Sequence, residues 1–161
     1  MTQSPQRFDA TKRNAAERAD SAKELLAFFI NQHTRVLEYR LQKLVFYAEA
    51  TYYSEHGERL TDVQWNAYMY GMFSEDIRVA LDEMESDGAE TKRTIYNGNR
   101  TITYLDPAQT VDLPDDVETF LTGVHEETET IQTDELASWT KDHPLFASTR
   151  YEDYVDFSDM E

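Results

Sequence analysis

The sequence predicts a mainly α fold: a single helical domain of about five helices with one β-hairpin between Thr94 and Tyr104. Three observations predict it. Apolar residues recur at helical spacing along most of the chain, β-branched runs flank an Asn97-Gly98 turn at one place, and no Pro/Gly-rich linker divides the 161 residues, a length usual for one domain.

The elements follow in order. Residues 1–19 read as a polar N-terminal extension, partly helical, because Ala15, Ala19 and Ala22 begin a weak stripe that Leu26 and Phe29 continue; the firm part of the first helix is 20–32. The second helix, about 34–56, carries Leu37, Leu41, Leu44, Val45, Ala48 and Tyr52 on one face and ends at Gly57, a residue suited to a left-handed cap. The length of that stripe predicts a central helix with Leu41, Leu44 and Ala48 buried. Residues 60–72 alternate loosely and predict a short extended segment ending at Gly71.

A third helix opens with Ser74 as its N-cap and Glu75-Asp76 in the first turn, where the helix dipole favours acids; Ile77, Ala80, Leu81 and Met84 face inward, and Asp87-Gly88 stops it. The hairpin comes next. Pro114 and Asp115-Asp116 start a fourth helix, with Val117, Phe120, Leu121 and Val124 on one face, fading by Thr128. A short fifth helix is expected to be capped by Thr133 and ended by Pro144, with Leu136 and Trp139 turned inward. Residues 20–147 thus form the domain, and 148–161 an acidic-aromatic tail that either docks in a groove or stays disordered.

Composition excludes several functions. The chain has no cysteine, so disulfides, thiol nucleophiles and thiolate metal sites are absent. Four histidines, His33, His56, His125 and His143, form no helical His pair, and no metal is expected. No phosphate-cradling glycine loop or nucleophile elbow occurs, so the expectation is a protein that is not an enzyme, with no cofactor and no small-molecule substrate. The most apolar run, Leu25 to Ile30, is too short for a membrane span, and with no export pattern at the N-terminus the expected location is the cytoplasm.

Charge is the strongest compositional signal. There are 32 acids against 15 Lys plus Arg, a net of −17, and only five of the cations are lysine. Such an excess on a foldable sequence points to a halophilic source, where screening tolerates dense surface carboxylates. It is unevenly placed: residues 1–60 are +1, residues 61–105 are −4 and residues 106–161 are −14.

Three blocks carry a family resemblance. The helix text Leu41-Gln42-Lys43-Leu44 runs on into Phe46, Tyr47 and Ala48; Trp65-Asn66-Ala67-Tyr68-Met69-Tyr70-Gly71 follows, and Glu135 to Pro144 closes the series around Leu136 and Trp139. Together they resemble the Panacea, or SocA-like, antitoxin domain over roughly residues 22 to 147. The sequence departs from the pattern at Met72, where proline usually follows the glycine, at Lys141, where histidine is common, and at Leu145-Phe146, where tryptophan is expected.

The resemblance implies the antitoxin of a type II toxin–antitoxin system, neutralising a cognate toxin by direct protein–protein binding. It implies that the toxin is encoded by an adjacent gene, and that Lys43 helps hold the Ala67-to-Gly71 segment on the helix; phage- or provirus-associated members are a further possibility within the family. Tyr47, Trp65 and Trp139 read as core, whereas Tyr53 and Tyr68 are the candidate partner-binding aromatics, since tyrosine combines an apolar body with a polar tip. The alternative function is a winged-helix-like DNA-binding transcriptional regulator with Lys92, Arg93 and Arg100 on the wing; the acids of the third helix, five against the single Arg78, disfavour it.

Overall fold

The structure, a computed structural model, describes residues 14–33, 36–69, 71–86, 89–93, 100–104, 111–150 and 153–160. The mainly α class holds. Among the described residues there are seven helices: α1 (Ala15–Asp20), α2 (Lys23–Asn31), α3 (Glu38–His56), α4 (Glu75–Ser86), α5 (Asp115–Thr128), α6 (Thr133–Asp142) and the single turn α7 (Pro144–Ala147), followed by a 3-10 turn at Phe157–Met160. Five strands, β1 (Val36–Leu37), β2 (Asn66–Tyr68), β3 (Gly71–Phe73), β4 (Ala89–Arg93) and β5 (Arg100–Tyr104), make two small antiparallel sheets, β1-β5-β4 and β2-β3.

Local chemistry explains most boundaries. Asn14 caps α1 in a reciprocal box, accepting from the Glu17 N–H at 2.8 Å while the Glu17 carboxylate accepts from its own N–H at 3.2 Å. The expected continuous first helix breaks at Ser21-Ala22. There the Ser21 hydroxyl donates back to the Arg18 carbonyl at 2.7 Å and accepts from the Asp62 N–H at 2.8 Å, diverting the chain toward the loop after α3. Gly57 ends α3 with φ +70°.

Three sequence expectations need correction, and the hairpin is found with its second strand where expected. The second helix begins at Glu38, not Thr34, because Val36 and Leu37 are extended and pair with Ile102 and Thr101 as the edge strand of the sheet. The hairpin strand before the turn is Ala89–Arg93, which runs Ala89↔Tyr104 through Arg93↔Arg100; the expected Thr94-to-Tyr96 run and its Asn97-Gly98 turn lie outside the described residues. Gln132, not Thr133, caps α6, boxed with Glu135, and Pro144 starts α7 rather than ending α6. The extended 60–72 segment turns back on itself: β2 pairs with β3 from Asn66↔Phe73 to Tyr68↔Gly71.

The core forms around α3, which is buried on nearly all sides by α2, α5, α6 and the strands β1, β3 and β5. Leu41, Leu44, Val45, Phe46 and Ala48 are buried, as are the polar Gln42, Lys43 and Glu49 on the same helix. An amphipathic stripe describes a helix with one wet face; this one is enclosed and therefore carries buried polar groups that need partners. Among the described residues no helix is long and apolar enough to cross a membrane.

Candidate functional site

Two of the buried polar residues of α3, Gln42 and Lys43, bind backbone rather than one another. The Gln42 side chain donates to the Ser74 carbonyl at 3.0 Å and accepts from the Ser74 N–H at 2.8 Å. At the next residue, the Lys43 ammonium donates to the Met72 carbonyl at 2.8 Å and lies 4.6 Å from the centroid of the Tyr39 ring. From the opposite side, Thr140 of α6 accepts from the Met72 N–H at 3.3 Å and donates to the Ala137 carbonyl at 2.8 Å. Strand β3 is therefore clamped between α3 and α6 by three side chains. Burial pulls the Lys43 amine down to about 8.

Gly71 is what lets this clamp close. Its φ is +108°, and a Cβ there would stand 2.5 Å from the Thr140 Oγ1 and 3.3 Å from the Lys43 Cε. Met72, where the family usually has proline, is fully buried, and its N–H is the one that Thr140 accepts from; proline would lack that donor.

A second polar hub lies about two helical turns further on. Glu49, completely buried, accepts from the Arg59 guanidinium at 2.8 Å, the Leu60 N–H at 2.8 Å and the Thr61 hydroxyl at 2.5 Å. Arg59 also donates to the Val63 carbonyl at 2.8 Å, so the loop from 59 to 63 is tied down on both sides of one ion pair. Arg40 does the same for the α5–α6 connection, donating to the Thr128 carbonyl at 2.8 Å and the Thr133 hydroxyl at 3.1 Å.

Aromatic residues gather between these hubs. Phe46 is the centre, with ring centroids 5.3 Å from Trp65, 5.6 Å from His143, 6.1 Å from Phe157 and 6.4 Å from Trp139. Trp65 is buried, and among the described residues its indole N–H has no hydrogen-bond partner. His143 accepts from the Leu145 N–H through Nδ1 at 3.1 Å, and burial lowers its pKa, so the ring is held neutral as an acceptor.

The signature residues thus occupy distinct places. Leu41, Leu44, Ala48, Ala67 and Leu136 are buried apolar contacts, and Gly71 is buried in the clamp. Tyr47 and Trp139 are half-buried, their rings tilted against each other with centroids 4.5 Å apart, so both are less enclosed than the core places expected for them. Tyr70 lies outside the described residues. Of the two candidate partner-binding tyrosines, Tyr68 is half-buried beside the exposed Met69, but Tyr53 is 8% exposed and packs on Phe157 at 5.5 Å. Tyr53 is corrected from a surface aromatic to a covered one, because the C-terminal segment returns over it.

Sequence reasoning missed Ser74 and Met72 as backbone partners, Thr140 as the clamp, Glu49 with Arg59, and Phe157. A weak signal existed for some of them: Gln, Lys and Glu at buried phases of an otherwise apolar helix demand fixed partners. No group of three or more His, Asp or Glu among the described residues is placed to hold a metal ion.

The fold and site together define a mainly helical domain in which the polar groups of a central helix hold the backbone of a hairpin. The family described as "Antitoxin SocA-like, Panacea domain" matches residues 41–145, well over half of the chain, and the chain belongs to that family. No curated protein and no solved structure matches it.

Proposed function

We propose that this protein is the antitoxin of a type II pair, a non-catalytic cytoplasmic protein that neutralises a toxin encoded beside it by binding it directly. The family match over residues 41–145 carries the reading. The clamped β2–β3 hairpin supports it, since it presents Tyr68 and the 61% exposed Met69 at its tip, an apolar pair on a rigid base. Anchors of this kind, held by a pre-organised scaffold, are what a tight interface of standard size requires.

The DNA-binding alternative loses support. Arg78, the base on α4, donates to Glu38 at 3.0 Å and lies over the Phe73 ring, so the helix offers exposed carboxylates to an approaching phosphate backbone.

The test is co-expression with the product of the neighbouring reading frame. The expected result is growth arrest by that product alone, growth restored by this chain, and a stoichiometric complex that Tyr68→Ala weakens at least fivefold without altering the circular dichroism. A neighbour that is harmless alone, or rescue without a complex, overturns the reading.

A further inference from the structure

The C-terminal segment crosses the outer edge of β2. The Ala67 N–H donates to the Asp153 carbonyl at 3.3 Å, the Val155 N–H donates to the Trp65 carbonyl at 2.8 Å, and Asn66 and Tyr154 form an antiparallel bridge. Two residues beyond Val155, the chain turns inward. Asp156 accepts from the Ser158 N–H at 2.9 Å and the Ser158 hydroxyl at 2.7 Å, and its carbonyl accepts from the Asp159 N–H at 3.0 Å, making a tight turn that drops Phe157 into a socket. Phe157 is 4% exposed there, against Phe46, Tyr53 and the Arg59 guanidinium 4.1 Å from its ring centroid.

The socket is built without the segment that fills it. Arg59 is fixed by Glu49 and the Val63 carbonyl, and Phe46 by Trp65, Trp139 and His143. Among the described residues the tail's side-chain hydrogen bonds are local to Asp156 and Ser158, and three backbone bonds tie it to the rest of the chain, two along the β2 edge and one from the Asp153 N–H to the Arg150 carbonyl at 2.9 Å. Residues 151–161 also carry five acids, Glu152, Asp153, Asp156, Asp159 and Glu161, in a chain whose remaining residues are net acidic. A backbone edge that any sequence can pair with, joined to one aromatic socket that selects a side chain, is the geometry of strand addition.

We infer that the β2 edge and the Phe46–Tyr53–Arg59 socket form a peptide-docking groove, which the protein's own tail occupies as a removable strap. Its ligand is an extended segment that adds antiparallel to β2 and carries an aromatic side chain two residues past the paired stretch. For the identity of the partner that supplies this segment the inference rests on the antitoxin reading; the groove itself does not.

The experiment uses the full-length chain, folded in high salt, as wild type, Phe157→Ala and Val155→Pro. The second variant removes one ladder donor and leaves the socket residues untouched. A fluorescent peptide with the sequence of residues 151–161 is titrated into each. The tethered tail competes at an effective concentration on the order of millimolar, so the variants should bind the peptide saturably and at least tenfold more tightly than wild type. A peptide carrying Phe157→Ala should fail to bind.

Absence of saturable binding to folded variants, indifference to the peptide's Phe157, or loss of fold in both variants overturns the inference, the last by making the tail part of the core. In a second arm, the neighbouring gene product is titrated against wild type and Val155→Pro. Strengthening by threefold or more supports use of the groove by that partner. A complex that Val155→Pro leaves unchanged or weakens overturns that use while the antitoxin reading stands. Peptide binding without any complex keeps the groove and removes the antitoxin reading.

Discussion

Gln42 and Ser74 are joined as two residues of neighbouring strands are joined, by one hydrogen bond in each direction, although Gln42 contributes a side-chain amide from the middle of a helix. Both residues are buried, so neither Ser74 group has water as a substitute partner.

Gln42→Ala should therefore cost about 2–4 kcal/mol, the sum expected for orphaning one buried donor and one buried acceptor. Gln42→Glu should not rescue it, because a carboxylate accepts from the Ser74 N–H but cannot donate to the Ser74 carbonyl. Chemical denaturation of the three proteins checks this; a loss under about half a kcal/mol for the alanine variant would show that β3 is held without Gln42.

Gly71→Ala combines an unfavourable φ with a collision. The left-handed backbone costs an alanine roughly 1–3 kcal/mol, and the Thr140 hydroxyl stands 2.5 Å from where its Cβ would lie. A total loss of at least about 2 kcal/mol is expected. The double variant with Thr140→Ala should be less destabilised than the two single losses added, by about 1 kcal/mol, since the collision is gone. Strict additivity would place the strain elsewhere.

Lys43 makes stability depend on pH in a definite direction. Burial lowers its amine from 10.5 to about 8 in the folded protein. Below pH 8 both states carry the proton and the cost of burying the charge is fully present. Between about 8 and 10.5 the folded protein releases the proton while the unfolded chain keeps it, so stability rises with pH, by about 3 kcal/mol in total from this group. Tyr47, raised chiefly by burial and then by Glu127, acts oppositely above about pH 10, where the unfolded phenol ionises first. Lys43→Met should abolish the rise between pH 8 and 10; an unchanged slope would assign it to another group.

Salt should matter most where the acids are densest. Exposed carboxylates line α5 and α6, from Asp115, Asp116 and Glu118 to Glu126, Glu127, Asp134 and Glu135. Lowering ionic strength from about 1 M to about 0.1 M lengthens the screening distance from about 3 Å to about 10 Å. Hydrogen exchange should accelerate first in α5 and α6, ahead of α3. Equal denaturation midpoints at 0.1 M and 2 M potassium chloride would contradict the halophilic reading of the composition.

Local features were legible in proportion to how local their causes are. The Leu41–Leu44–Ala48 spacing and the Gly57 stop located most of α3, and Ser74 caps α4 through its hydroxyl, which accepts from the Ile77 N–H at 3.4 Å. Leu37 misled because its spacing to Leu41 continues the helical period, whereas pairing of Val36 and Leu37 with β5 holds the backbone extended. Tyr53 misled for a similar reason: on a single helix its phase looks half wet, and the cover comes from Phe157, more than a hundred residues later.

By itself the sequence determined where most of the helices lie, the Ser74 cap and the Gly57 stop, the β-forming character around 100–104 and the acidic last third, because each follows from neighbours within a few turns or from composition alone. Only the tertiary structure decided that Gln42, Lys43 and Thr140 grip one strand, that Glu49 and Arg59 pin a loop, and that the tail fills the socket beside Trp65. Those contacts join residues far apart in the chain. Which of many polar and aromatic side chains meet there is set by how the helices pack around α3, and a buried polar group declares in the sequence only that it needs a partner, not where that partner will be.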